Sequence, residues 1–286
     1  MINNLFLSVG AMKSGTTWLY DKLRQHPQIH FSRAKEIHFL AHYYGHTKIL
    51  SSDKRRQRAL AALERLSNNR ISSAELERTV AWYNIYTSDP ISFEWFEAIT
   101  DAQQNAANYV ADFSNLNCHL TREDWLEVKK ERVNTLKVLY ILRDPMARIW
   151  SHYKFHLKFS RHRLADCPSQ DYEHFKNIID KPWFWRNSYY SHSILQLTSG
   201  LDNSELMIIY FEDMTKNPDA TIKRIEDFLG IDRFRYAGDL KSAKNKSSPD
   251  KIPKEWESYL SAKIADEILA LRKLGYHHHE WKTWTE

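Results

Sequence analysis

Hydroxyl and ammonium side chains are concentrated around a glycine close to the start of the chain. Lys13, Ser14, Thr16 and Thr17 flank Gly15. A glycine-bearing loop at the N-terminus of a helix directs backbone N–H groups at one point, where the helix dipole also favours negative charge. These residue types therefore predict a phosphate or sulfate site whose cation is the ammonium group of Lys13.

A short apolar run precedes this loop and must position it. Residues 5–9 are LFLSV, and the run breaks at Gly10, five residues before Gly15. Residues 16–25 are compatible with a helix that ends before Pro27, because proline disfavours the helical conformation in the residue that precedes it. The pattern predicts a buried strand, a tight loop and a helix.

An arginine and a serine eight residues apart form a second candidate anion site. Residues 136–142 contain five aliphatic side chains and neither glycine nor proline, which is typical of a buried strand. The strand ends at Arg143, and Asp144-Pro145 is a favourable start for the next helix. Arg143 and Ser151 can then converge on one phosphate, which suits the planar guanidinium group. An ion pair between Arg143 and Asp144 is the alternative role for this arginine.

The first loop differs from the Walker A phosphate loop of nucleoside triphosphatases. Gly10 and Gly15 have the spacing of G-x-x-x-x-G-K-[ST], but two threonines follow where that motif has Lys and Ser or Thr. Lys13 instead lies two residues before the second glycine, so its ammonium group approaches a phosphate chain from a different place. This arrangement argues against an ordinary Mg²⁺-dependent NTPase.

The composition indicates a folded globular protein with a small excess of positive charge. Of the 286 residues, 42% are hydrophobic and 13% aromatic, and the formal net charge is +5. Acidic and basic residues are interleaved, so the excess suits an anionic ligand and is weak support for nucleic-acid binding. Cys118 and Cys167 provide neither a disulfide framework nor a C-x-x-C metal motif. No linker, leader or transmembrane segment is visible, and we expect a single cytoplasmic domain over residues 1–286.

Two motifs resemble those of one enzyme family. Residues 13–18, KSGTTW, are similar to the 5′-phosphosulfate loop of sulfotransferases that use 3′-phosphoadenosine 5′-phosphosulfate (PAPS). Residues 143–151, RDPMARIWS, closely resemble the 3′-phosphate motif of that family, R-D-P-x-x-R-x-x-S-x-Y. Two separated motifs, each at a predicted strand-to-helix junction, are far less expected by chance than either one alone.

Three further segments extend the resemblance. Residues 35–39, KEIHF, resemble the K-E-x-H-F segment of glycan-modifying and some bacterial sulfotransferases, in which the glutamate can act as catalytic base. Glu36 is therefore the first candidate for the base and His38 the second. Phe211 stands where the family has the tyrosine of Y-E-D-[LM], whose ring helps to hold adenine. This chain also has Phe113 where the glycan-modifying branch often has a lysine.

A basic segment near the C-terminus, residues 241–254, resembles the N-K-S loop that closes over the cofactor in this family. Lys246 and Ser247 are the best match, and a plain surface loop is the alternative. The resemblance implies that the catalytic residues are Lys13, Glu36 and His38. It implies that the cofactor-binding residues are Lys13, Ser14, Gly15, Thr16, Thr17, Trp18, Arg143, Ser151, Phe211, Lys246 and Ser247.

Alternating strands and helices predict an α/β fold with a central, mainly parallel sheet flanked by helices. Further strands are predicted at residues 29–31, 109–112 and 206–211. The resemblance implies the P-loop-like sulfotransferase fold and a sulfuryl transfer from PAPS to a hydroxyl or amine of a glycan or small-molecule acceptor. The product would be 3′,5′-ADP. No metal is expected, because a transferring sulfuryl group carries less charge than a phosphoryl group.

Two other classes of function stay open. A nucleotide or small-molecule kinase would need Mg²⁺ and ATP, and the missing Walker lysine speaks against it, although Asp112 could imitate a Walker B aspartate. A nucleic-acid-binding module would use the basic residues 54–58 and nearby aromatic rings, and the scattered charge speaks against it. The aromatic-rich residues 82–96 belong either to the core or to an acceptor pocket. Residues 166–188 are expected to be irregular and to contribute to the acceptor cleft.

Overall fold

A parallel sheet forms the centre of the protein. The computed structural model describes residues 2–67, 72–101, 107–160, 172–240 and 251–282. Within them, the strands are β1 (Ile2–Ser8), β2 (Ile29–Phe31), β3 (Tyr109–Asp112), β4 (Val133–Leu142) and β5 (Leu206–Tyr210). They lie in the order β2-β3-β1-β4-β5, and these pairings are all parallel. The predicted α/β class is confirmed, β2 and β3 have the predicted bounds, and the ends of the other strands differ from the prediction by at most three residues.

Helices connect the strands and follow them along the chain. The N-terminal half contains α1 (Thr16–Leu23), α2 (Phe39–Tyr43), α3 (Ser52–Ser67), α4 (Ser73–Thr87), α5 (Phe93–Ile99) and α6 (Arg122–Glu131). The C-terminal half contains α7 (Pro145–Ser160), α8 (Tyr172–Ile179), α9 (Pro182–Trp185), α10 (Tyr190–Gly200), α11 (Phe211–Lys216), α12 (Pro218–Leu229) and α13 (Lys254–Lys273). Parallel strands need such crossovers, because a hairpin cannot join them.

Apolar side chains cover both faces of the sheet. Successive side chains of a strand point to opposite faces. In β4, Val138 and Tyr140 pack in one buried cluster, whereas Leu139 and Ile141 pack in another. In β1, Leu5 joins the first cluster and Phe6 the second. The near-continuous apolar runs of these strands are therefore explained by burial on two sides.

The pairing of β1 with β4 continues into the loop that follows β1. The N–H group of Val9 donates to the carbonyl of Leu139 at 3.0 Å, and that of Ala11 donates to Ile141 at 2.9 Å. The loop after β1 therefore lies beside the end of β4, at the carboxyl edge of the sheet. The chain passes from β1 to β2 and β3 on one side and to β4 and β5 on the other, which makes this edge a topological switch point, where α/β proteins bind ligands.

Two aromatic-rich segments of the sequence form helices that pack against the core. The expectation of irregular structure over 166–188 is wrong for residues 172–188, where α8 and α9 form because their aromatic side chains pack on other helices. The ring of Phe175 stacks on Trp256 with centroids 4.5 Å apart. In α4 and α5, Tyr86 and Phe96 are buried in the main core, so these two rings of the segment 82–96 serve packing.

Replacing Leu139 with alanine should destabilise the protein strongly. Leu139 is fully buried in β4, and a truncated core leucine typically costs about 2–5 kcal/mol of unfolding free energy. Leu60→Ala is the matched control, because Leu60 is 62% exposed on α3 and should cost less than about 0.5 kcal/mol. Chemical denaturation measures both values, and equal losses for the two variants would contradict the position of β4 in the core.

Candidate active site

Side chains of α11 pack over the glycine-bearing loop at Gly15. Gly15 has a φ of +83°, in the left-handed region that favours glycine, and α1 begins at the next residue without a side-chain cap. A Cβ atom on Gly15 would lie 2.4 Å from Cε of Met214 and 3.0 Å from the ring of Phe211. Glycine is therefore favoured chiefly by its φ, and a larger residue would also displace Met214 and crowd the ring of Phe211. The first backbone N–H groups of α1, from Thr16 onward, point out of the helix end as in other anion-binding loops.

Arg143 holds the main chain of this loop. Its Nη1 atom donates to the carbonyl oxygen of Lys13 at 2.8 Å, and its guanidinium carbon lies 4.5 Å from the centroid of the Phe211 ring. Asp144 is engaged elsewhere, since its Oδ1 and Oδ2 atoms accept from the N–H groups of Ala147 and Lys282. Asp144 thus caps α7 as predicted, and Arg143 faces the first anion loop.

The ammonium group of Lys13 lies in the same positively charged region as Arg143. Its backbone is left-handed, with φ at +71°, and its Nζ atom lies 4.1 Å from the centroid of the Phe155 ring. Burial, together with the positive charges of Arg143 and Lys35, lowers the pKa of Lys13 to about 8. Burial also lowers the pKa of Arg143. Two neighbouring cations with lowered pKa values form a site that an anion would stabilise.

The other candidate residues near Lys13 and Arg143 differ in how deeply they are buried. Ser14 is fully buried, and Trp18 is half-buried at the first turn of α1, where it packs with Phe211 against one of the core clusters. Ser151 is 4% exposed on the second turn of α7, the helix that starts beside Arg143. Lys246 and Ser247 lie outside the described residues.

The segment after β2 brings a third basic side chain to the loop. Lys35 donates to Oγ1 of Thr16 at 3.3 Å, to Oγ1 of Thr17 at 3.2 Å and to Oε1 of Glu36 at 2.9 Å. Lys35 belongs to the K-E-x-H-F segment, but the sequence predicted no role for it. Its contacts are with α1, and the sequence does not show that α1 lies beside this segment.

Glu36 and His38 lie together. Nε2 of His38 is 3.4 Å from Oε2 of Glu36. Burial alone would raise the pKa of Glu36, but the hydrogen bond with His38 and the charge of Lys35 outweigh it and lower that pKa to about 2. Glu36 is therefore held as a carboxylate, and the same low pKa makes it a weak proton acceptor in this arrangement. Because Glu36 and His38 lie side by side, the structure does not choose between them, and both stay candidates for the base.

Asp112 fixes this segment to the end of β3. Its Oδ1 atom accepts from the N–H group of Ile37 at 3.1 Å and from the hydroxyl of Ser114 at 2.7 Å. The hydroxyl of Ser114 in turn accepts from the N–H group of His38 at 2.6 Å. Burial raises the pKa of Asp112 to about 6. This aspartate therefore positions the Glu36–His38 segment, a role that the sequence did not indicate.

α11 contacts both candidate anion-binding segments, which are the loop at Gly15 and the turn at Arg143-Asp144. The carboxylate of Glu212 accepts from the N–H group of Asp144 at 3.0 Å, while Phe211 packs over Gly15 and Arg143. Among the described residues, no group of three or more His, Cys, Asp or Glu side chains could hold a metal ion. No helix in the same parts of the chain has the length and apolar character needed to cross a membrane.

Comparison with known proteins agrees with the fold. A parallel sheet whose central strand is followed by a glycine-bearing loop and a helix is that of a P-loop-like α/β protein. A family model described as "Sulfotransferase domain" matches residues 4–263, and the chain belongs to this family.

Solved sulfotransferase structures share the fold. A sulfotransferase from Alicyclobacillus acidocaldarius has a TM-score of 0.62 and 18% identity, with 99% of this chain and 100% of that chain covered. The sulfotransferase domain of the Synechococcus PCC 7002 olefin synthase has a TM-score of 0.53 and 19% identity over 97% of each chain. That of the curacin biosynthetic pathway has a TM-score of 0.52 and 16% identity, with 97% of this chain and 99% of that chain covered.

The amine of Lys13 should titrate near pH 8, well below its ordinary pKa of 10.5, because it is buried beside other positive charges. Competitive acylation of the free protein at a series of pH values, read by mass spectrometry, measures this midpoint. In the Lys35→Ala variant the midpoint should rise, because one neighbouring charge is removed. A midpoint at 10.5 in the wild-type protein would show that the ammonium group is solvated and unpaired with the site.

Proposed function

We propose that the protein transfers a sulfuryl group from PAPS to a hydroxyl or amine acceptor, which is a glycan or a small-molecule alcohol. The observation that carries this proposal is the contact of Arg143 with the main chain of Lys13 at 2.8 Å. It joins the two motifs that resemble the 5′-phosphosulfate and 3′-phosphate sites of the family. Membership of the sulfotransferase family supports the same donor.

In this proposal the donor lies across the carboxyl edge of β1 and β4. The loop N–H groups, with the hydroxyls of Ser14, Thr16 and Thr17, hold the 5′-phosphate. Arg143 and Ser151 bind the 3′-phosphate, and Lys246 with Ser247 is the candidate for a closing contact. Trp18 and Phe211 contact the adenine ring. The whole chain, residues 1–286, acts as one domain.

Lys13 is proposed to stabilise the leaving group. In an in-line transfer, negative charge develops on the oxygen that bridges sulfur and the 5′-phosphate, and fixed cations beside that oxygen lower the barrier most. Lys13 Nζ is held in a partly desolvated position by the loop and by Phe155, where its charge acts over a low local dielectric. The transfer is proposed to need no metal ion, because the cations and N–H groups supply the required charge.

Glu36 is proposed as the base that removes the acceptor proton, with His38 beside it. The carboxylate is ionised, and its low pKa is maintained by His38 and Lys35. A base is most effective when its pKa approaches the working pH. The negative charge of a bound donor would raise the pKa of Glu36, and its basicity would then increase as the substrate assembles.

Calorimetry should show that 3′,5′-ADP binds far more tightly than 5′-ADP without added Mg²⁺. A charged hydrogen bond to the 3′-phosphate contributes about 1.5–3 kcal/mol, which corresponds to roughly ten- to hundredfold in affinity. Arg143→Ala should remove most of this preference, while Arg122→Ala, an exposed arginine at the start of α6, should leave it unchanged. Equal affinity of the wild-type protein for the two nucleotides would rule out PAPS as the donor and favour a kinase.

Glu36→Gln should retain the affinity for 3′,5′-ADP and lose turnover by about 10²–10⁴-fold, the usual contribution of a general base. His38→Ala should lose less, because its ring only assists the carboxylate. Turnover of PAPS across a panel of hydroxyl and amine acceptors provides the measurement. If Glu36→Gln stays within a few-fold of wild type while His38→Ala is nearly inactive, the histidine is the base.

A further inference from the structure

Lys35 is a largely buried cation for which the proposed function has no role as a ligand. Its side chain is 19% exposed. An ammonium group has three donors and no acceptor. In this structure the donors reach the hydroxyls of Thr16 and Thr17 and one oxygen of Glu36. Its ion-pair partner is the carboxylate of Glu36, and that carboxylate is shared with His38.

The position of Lys35 brings positive charge to a place that is already positive. Its charge contributes to the lowered pKa of Lys13, so the two ammonium groups repel each other across the loop. The first turn of α1, which carries both threonines, adds the positive end of a helix dipole. Such like charges repel one another, and an anion that enters between them offsets this repulsion.

The contacts with Lys35 determine where the hydroxyl hydrogens of Thr16 and Thr17 can point. A hydroxyl that accepts a hydrogen bond from Lys35 must direct its own hydrogen elsewhere. Thr16 is almost fully buried, and Thr17 is half-buried at the N-terminus of α1. The lysine therefore leaves the hydroxyl hydrogens free to donate to an anion at the loop, and it can itself share a donor with that anion.

Lys35 also lies beside the position at which a family lysine is missing. The N–H group of Phe113 donates to the carbonyl oxygen of Lys35 at 3.2 Å, so the two residues are neighbours. The ring of Phe113 is buried among aromatic side chains, with centroids 5.5 Å from Phe6 and 5.0 Å from Phe31. Phe113 thus contributes to the core, and the only cation at this pair of positions belongs to Lys35.

We propose that Lys35 binds the 5′-phosphosulfate group of the donor alongside Lys13 and supplies the second cation of the site in place of a lysine at position 113. This proposal rests on the proposed function, because it takes PAPS as the donor. Lys35 contacts the cofactor directly and orients the hydroxyls of Thr16 and Thr17 toward it. It is released in part from Glu36 when the donor binds.

The test compares two nucleotides that differ only in the 5′-phosphate. Calorimetry on the full chain measures the affinities for 3′,5′-ADP and for adenosine 3′-monophosphate. In the Lys35→Met variant, which keeps the length of the side chain without its charge, the preference for 3′,5′-ADP should fall about tenfold or more. Affinity for adenosine 3′-monophosphate should stay within about twofold of wild type, and Lys35→Arg should restore part of the preference.

Lys48→Ala is the control for net charge, because Lys48 is exposed in the connection after α2. It should leave both affinities unchanged. An equal loss of both affinities in Lys35→Met and Lys35→Arg would assign Lys35 a structural role and overturn the proposal, as would an unchanged preference. If the wild-type protein itself shows no preference for 3′,5′-ADP over 5′-ADP, the donor assignment fails before Lys35 is considered.

Discussion

The side-by-side pairing of β1 and β4 is the constraint on which the rest of the site depends. Its hydrogen bonds continue past the end of β1, through Val9 and Ala11, and so fix the glycine loop against the end of β4. Arg143 and Lys13 are 130 residues apart in the chain, yet they meet because their strands are neighbours. These sheet bonds are between main-chain groups. They set the distance between the loop of Lys13 and the turn at Arg143 independently of the side chains.

The pairing concentrates positive charge in one place. Lys13, Arg143 and Lys35 gather around the start of α1, where the loop N–H groups already point. Burial lowers the pKa values of Lys13 and Arg143, because it disfavours the charged forms of both groups. Preorganised charges of this kind need little rearrangement when an anion binds or when charge develops in a transition state.

Much of this organisation could be predicted from the sequence because it is local. The strand-loop-helix patterns at residues 5–25 and 136–158, and the cap provided by Asp144, depend on neighbours along the chain. The contacts of Lys35 with Thr16 and Thr17, and of Met214 with Gly15, depend on tertiary packing, which periodicity cannot indicate. The helices over 172–188 were missed for the same reason, since their rings are ordered by packing on α13.

The anchoring of residues 37–41 limits how far this part of the chain can change. Asp112, Ser114 and Asn117 hold this segment through the N–H groups of Ile37, His38 and Ala41. Main-chain anchors alone would tolerate almost any side chain, but Ile37, Phe39, Leu40 and Ala41 are also buried in the main core. The segment is therefore fixed by its backbone and by its side chains together. Variation at this edge of the sheet is restricted to partly exposed neighbours such as Lys35 and Glu36, whose side chains are 19% and 30% exposed.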